Sequence, residues 1–166
     1  MSDLSTPTTP HTQYPSLAPK QVATIQEAIG ILESTMRAGD TFANSEATKQ
    51  FCRLKIGTAK DEYFCCLFLD NQHRLLVFEH LFRGTVSAAS VYPRVIVRRA
   101  LELNAAAVIL SHNHPSGMTE ASRADTEITT RLVHALELID VRVLDHIIVG
   151  SESALSMAEQ GLLKQA

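Results

Sequence analysis

The run Ala105-Ala106-Ala107-Val108-Ile109-Leu110-Ser111 constrains the fold more than any other stretch of this chain. A continuous apolar run of this length reads as a buried strand, with layers packed over both of its faces. It leads directly into His112-Asn113-His114-Pro115-Ser116-Gly117, with Ser122 and Asp125 shortly after. If extended geometry persists to the histidines, residues two apart point to one face and both imidazoles reach a common ion. With Asp125 they make three ligands of the kind a catalytic zinc uses, leaving the fourth tetrahedral position for water.

The rest of the chain reads as helices and strands that supply those layers. Val22, Ile25, Ile29, Leu32 and Met36 recur at intervals of three and four, the stripe of an amphipathic helix, with Gly39 as its stop. A second helix starts at Asn44 or Ser45 as N-cap and ends before Gly57, with Ala47, Phe51 and Leu54 facing inward. Residues 62–69 and 74–82 read as two strands of a hairpin turned by Asp70-Asn71-Gln72-His73, with Gly84 as the breaker. Ser90 is expected to cap a helix carrying Pro93 in its first turn and running to about Asn104. After the histidine loop come a helix over 122–139, with Ile128, Leu132, Ala135 and Leu136 on one side, and a strand over 141–149 closed by Gly150. Helix and strand alternate after an initial hairpin, so the expected fold class is α/β, a mixed sheet flanked by helices. No internal repeat is visible.

Composition sets the outer limits. The chain has 166 residues with 45% hydrophobic and 20% charged side chains, room for one domain with a substantial core. Pro7, Pro10, Pro15 and Pro19 stand among Thr and Ser with little apolar surface, so residues 1–19 read as a disordered tail. Residues 20–57 then form an N-terminal helical segment and 58–166 the catalytic domain. No segment approaches the run of about eighteen apolar residues that a membrane span needs. The N-terminus has no secretory signal pattern, so the expectation is a cytoplasmic protein that does not engage membranes. A net charge of −3 gives no global footprint for nucleic acid. Arg94, Arg98 and Arg99 cluster, and they read as the solvated face of a helix. Cys52, Cys65 and Cys66 form no C-x-x-C pair; Cys65 and Cys66 face opposite sides of a strand, and all three read as small core residues.

A zinc held by His112, His114 and Asp125 would bring the pKa of its water from 15.7 to roughly 7, and such a site needs a base that is not itself a ligand. Glu79 is the one carboxylate in the largely apolar run 75–82, and burying it without a partner would be costly, which places it near the metal as that base. Equally, Glu79 reads as an exposed residue on a half-solvated strand. Ser122, three residues before Asp125, has a hydroxyl that could donate to an oxyanion, and the pair also reads as a capping box. Of the other histidines, His80 points away from Glu79, His73 lies in the turn and His134 on the helix. His146, after Asp145, reads as a satisfied core histidine or as a group behind the ligands.

The series Glu…His-x-His…Ser-x-x-Asp resembles the JAMM (JAB/MPN+) metalloprotease pattern. The finer resemblance is to the bacterial RadC family, carried by residues 81–85 (LFRGT), 90–94 (SVYPR), 99–106 (RALELNAA), 112–117 (HNHPSG) and 144–150 (LDHIIVG). That resemblance implies a cytidine-deaminase-like JAB/MPN domain, His112, His114 and Asp125 as Zn2+ ligands, Glu79 in the glutamate role and Ser122 as the oxyanion-side serine. Ala121 stands where RadC sequences usually have proline, and the chain is expected to be a short, stand-alone form without their helix-hairpin-helix module. The implied activity is hydrolysis of a peptide or isopeptide bond in a peptide or protein substrate. The alternatives are a DNA-associated protein or nuclease of mobile-element or DNA-repair context, and a non-catalytic interaction domain. Deaminase chemistry is disfavoured because the Pro-Cys-x-x-Cys half of that signature is absent. The residues do not name a substrate or an oligomeric state.

Overall fold

The computed structural model describes residues 17–38, 45–84 and 91–163. Tail residues 1–16, the Gly39 stop, Asn44 and Ser90 lie outside them. The described elements are α1 (Pro19–Ala38), α2 (Ser45–Ile56), β1 (Tyr63–Leu69), β2 (Leu75–Arg83), α3 (Pro93–Glu102), β3 (Ala107–Asn113), α4 (Arg123–Glu137), β4 (Arg142–Val149) and β5 (Ala154–Ser156).

Five strands form one mixed sheet in the order β2-β1-β3-β4-β5. β1 runs antiparallel to both β2 and β3, β3 and β4 are parallel, and β4 and β5 are antiparallel. The parallel pair is joined through α4, the crossover that parallel strands require. β3 lies at the centre and is buried along its whole length, as its sequence demands. β5 is a three-residue edge strand too brief to show a pattern in sequence.

Alternation splits the core into two layers. Phe64, Cys66 and Phe68 of β1 and Leu110 of β3 pack against Ile96 of α3 and Ile128, Leu132 and Leu136 of α4. On the opposite face Cys65, Leu67 and Ile109 meet Ile29 and Met36 of α1 and Phe51, Cys52 and Ile56 of α2. Each such large apolar side chain contributes roughly 1.5–3 kcal/mol by leaving water. Cys65 and Cys66 therefore do face opposite layers, and all three thiols are free and buried. Burial pushes the Cys52 thiol up to about 12 and the other two well above their ordinary value.

One expected cap is corrected. The N-cap of α3 is Tyr92, which makes no side-chain cap, and Pro93 follows at the start of the helix. A proline there removes an N–H that would have had no helical partner anyway. Among the described residues, no helix is long and apolar enough to cross a membrane.

Candidate metal centre

Strand geometry carries through the first histidine, and His114 prolongs the ladder by donating its N–H to the Val149 carbonyl at 2.8 Å. His112 and His114 consequently project to one side of the sheet, and their Nε2 atoms stand 2.9 Å apart. The chain then folds back in a tight turn closed by Gly117 N–H to the His114 carbonyl at 2.9 Å. Gly117 has φ +83°, and a Cβ there would lie 2.7 Å from Ser151 Oγ, so both backbone and space call for glycine.

The turn delivers Ser122 to the head of α4, where it closes a capping box. Ser122 Oγ accepts from Asp125 N–H at 3.1 Å and Ser122 N–H donates to Asp125 Oδ2 at 2.8 Å. The Ser122 hydroxyl also donates to Asp125 Oδ2 at 2.6 Å. Thus the helix cap and the site coincide: the contacts that start α4 also aim the Asp125 carboxylate. Its Oδ1 lies 3.1 Å from His112 Nε2 and its Oδ2 3.5 Å from His114 Nε2. Burial alone would raise this carboxyl, but the two imidazoles, which donate to it whenever they are protonated, hold it well below the ordinary carboxylate value. Asp125 in turn raises His114.

The donors and acceptors around these residues fit an ion. His114 Nδ1 lies 2.9 Å from the Met118 carbonyl, which can only accept, so the proton of the neutral ring is on Nδ1 and Nε2 offers its lone pair. His112 Nδ1 is engaged by His146 Nε2 at 2.8 Å, leaving its Nε2 facing His114. Two ring nitrogens and a carboxylate thus converge on one point, all acceptors when the rings are neutral. Only a proton or a metal cation satisfies such a set, and two imidazoles with one carboxylate suit zinc.

The fourth chain group at this point is not the expected one. Among the described residues, Glu62, His112 and His114 offer ligand atoms that all lie within 4.8 Å of one another. Glu62 immediately precedes β1. Phe64 pairs with His112 in the antiparallel β1–β3 ladder, and continuing that register brings Glu62 opposite His114. Asn113, buried between the two histidines, fixes this approach: its Oδ1 accepts from Tyr63 N–H at 2.8 Å and its Nδ2 donates to the Asp61 carbonyl at 3.0 Å. It therefore holds the backbone on both sides of Glu62.

Glu79 is elsewhere. It pairs across from Cys66, with β1 lying between β2 and β3, which separates it from the histidines by about two strand spacings of 4.8 Å and a shift along the sheet. Its carboxylate is bound by Arg99 of α3, with contacts of 2.6 and 2.9 Å. Arg99 is half-buried, not the freely solvated residue its cluster suggested, and it removes the need for a metal to justify Glu79. Both line an open groove of about 1300 Å³ beside β2. The structure accordingly brings His112, His114, Asp125 and Ser122 together, leaves Glu79 out, and adds Glu62 and Asn113.

What this defines is an α/β domain with a His/His/Glu group that could hold a metal ion at the end of a central strand. A model of the RadC-like JAB domain family matches residues 42–162. A UPF0758 protein of Vibrio cholerae serotype O1 is 55% identical over 139 residues, covering 84% of this chain and 87% of that one. A UPF0758 protein of Nitrosococcus oceani is 56% identical over 132 residues, and one of Methylibium petroleiphilum is 50% identical over 149. These matches span 59% and 67% of those two longer relatives. The chain belongs to the RadC-like JAB domain family, which points to the JAMM-type metalloprotease superfamily.

Proposed function

We propose that this protein is a zinc-dependent metallopeptidase that hydrolyses a peptide or isopeptide bond, with Glu62 as its general base. The observation that carries this reading is the convergence of Glu62, His112 and His114 within 4.8 Å, beside the Asp125 carboxylate. A divalent ion held by His112, His114 and Asp125 would supply Lewis acidity toward a carbonyl oxygen and toward water. The chain does the rest. His112 and Asp125 are buried at 0% and 2% exposure and form the fixed floor, whereas Glu62 and His114 are half-buried and Ser122 faces solvent. In this reading Glu62 takes a proton from water and returns it to the leaving amine. Ser122 stands at the open rim, and to donate to a developing oxyanion it must release Asp125 Oδ2.

Zinc content of metal-clean protein tests the ligand set. One zinc per chain is expected in the wild type and none in His114→Ala; a wild type without zinc overturns the reading. A peptide-library cleavage screen then separates the two glutamates. Glu62→Gln is expected to keep zinc and lose hydrolysis, while Glu79→Gln keeps both. The reverse result returns the base to Glu79. A phosphodiester reading gains little support, since Arg74, Arg83, Arg98, Arg99 and Arg123 are each paired with a carboxylate.

A further inference from the structure

Behind His112 runs a buried chain of hydrogen bonds that the cleavage chemistry does not use. His112 Nδ1 meets His146 Nε2 at 2.8 Å, and His146 Nδ1 meets Thr129 Oγ1 at 2.6 Å. Thr129 Oγ1 donates to the Asp125 carbonyl at 2.5 Å. All these residues are almost inaccessible, with His112 and His146 at 0% and Thr129 and Asp125 at 2% exposure. Bulk solvent therefore does not reach these groups, and they satisfy one another.

The order of donors follows from the last acceptor. A backbone carbonyl can only accept, so the single Thr129 hydroxyl proton points to Asp125 O; the Met157 sulfur, at 3.6 Å, is a far weaker acceptor. Thr129 Oγ1 then has lone pairs for His146 Nδ1, which must carry the ring proton. A neutral His146 protonated at Nδ1 presents a lone pair at Nε2, and so His112 must donate from Nδ1. His112 Nε2 is left unprotonated, aimed at His114 Nε2 and Asp125 Oδ1. A hydroxyl on Thr129 alone would be an ordinary helix back-bond; the continuation through two imidazoles is what gives it consequence.

We infer that Thr129 and His146 are positioning residues that lock His112 in the Nδ1–H tautomer and so present its Nε2 as a ready metal ligand. The inference rests on His112 being a ligand. The lock starts on the backbone of Asp125, so α4 sets one ligand by its side chain and a second through this relay. β4 supplies His146, and the site is complete only when α4, β3 and β4 have docked.

The test uses the full chain and Zn2+ as probe. Thr129→Val keeps the shape and deletes the hydroxyl, whereas Thr129→Ser keeps the hydroxyl. Loss of such an outer partner is expected to weaken zinc binding by about 10–100-fold in Thr129→Val, with Thr129→Ser restoring it. A long-range proton–nitrogen spectrum of the zinc-loaded wild type gives a second readout that needs no variant. His112 and His146 should both appear protonated at Nδ1. His146 protonated at Nε2, or Thr129→Val binding zinc as tightly as wild type, overturns the inference. If Thr129→Val does not fold, the spectrum decides. If the wild type takes up no zinc, the ligand reading fails and the lock with it; stoichiometric zinc with unaltered affinity in Thr129→Val sinks the lock alone.

Discussion

Asn113→Ala is the perturbation that best separates holding a metal from holding the base. Asn113 is 2% exposed, and its hydrogen bonds run to Tyr63 N–H at 2.8 Å, the Asp61 carbonyl at 3.0 Å and the Ala59 carbonyl at 3.5 Å. The last lies at the limit of a useful bond. Two bonds of about 1 kcal/mol each are lost, and part of the about 1–3 kcal/mol penalty for stranding a buried group is added. Because Tyr63 is only half-buried, water can relieve some of that penalty, and the expected total is about 2–3 kcal/mol. For a domain of this size that lowers the melting temperature by roughly 4–12 °C. No hydrogen bond of the Asn113 side chain goes to His112, His114 or Asp125, so zinc affinity should hold. The segment bearing Glu62 loses its tether, and a displacement on the order of 1 Å would cost about 100-fold in turnover. Urea unfolding, zinc titration and peptide cleavage on the same preparation measure the three quantities. Zinc lost together with hydrolysis, or hydrolysis unchanged in a folded variant, would refute the clamp.

Three other outcomes follow from the same geometry. Zinc at about a hundred times its dissociation constant should stabilise the wild type by about 2.7 kcal/mol, raising its melting temperature, while His112→Ala and His114→Ala should show no shift. Glu79→Gln should cost only about 0.5–1 kcal/mol, because the Arg99 pair is still partly solvated, and should leave zinc content untouched; a loss of zinc would contradict the separation of the two sites. The buried thiols predict alkaline instability. Cys52 goes from 9.0 to about 12 on folding, so the unfolded chain releases its proton first. Stability should then fall between about pH 9 and 12 at roughly 1.4 kcal/mol per pH unit from this group, and Cys52→Ala should flatten the slope in denaturant titrations.

The parts of the site written in contiguous sequence were legible; the part made by sheet pairing was not. His112, His114, Ser122 and Asp125 all lie on one strand end, one turn and one helix cap, and each of those has a local signal. Glu62 reaches the histidines only because β1 lies antiparallel beside β3, a pairing with no local mark. A carboxylate in the largely apolar strand β2 does need a partner, as the sequence around Glu79 implies. That partner is Arg99, twenty positions along on a helix, where it stands in sequence among the arginines of a polar face. The layered α/β class followed from β3 and the helical stripes, and β1's adjacent cysteines fell to opposite layers as alternation requires. Asn113 left a faint signal: a buried asparagine between two ligands must satisfy its amide somewhere, and the nearest backbone is that flanking Glu62.

Under the proposed peptidase reading, the division between a sealed floor and an open rim would limit what substrates can reach. His112, Asp125, Thr129 and His146 are buried and bonded to one another, so nothing can approach from the α4 side without unfolding it. Access lies over Glu62, His114 and the turn leading to Ser122, where Met118 stands 65% exposed. The Met118 carbonyl also holds His114 Nδ1, so a substrate that displaces this turn would disturb a ligand as it binds. Substitutions in residues 115–121 that move the Met118 carbonyl would therefore also move His114. The Gly117 carbonyl approaches Gly150 too closely for any Cβ there, with 2.3 Å available, which pins the turn against the end of β4.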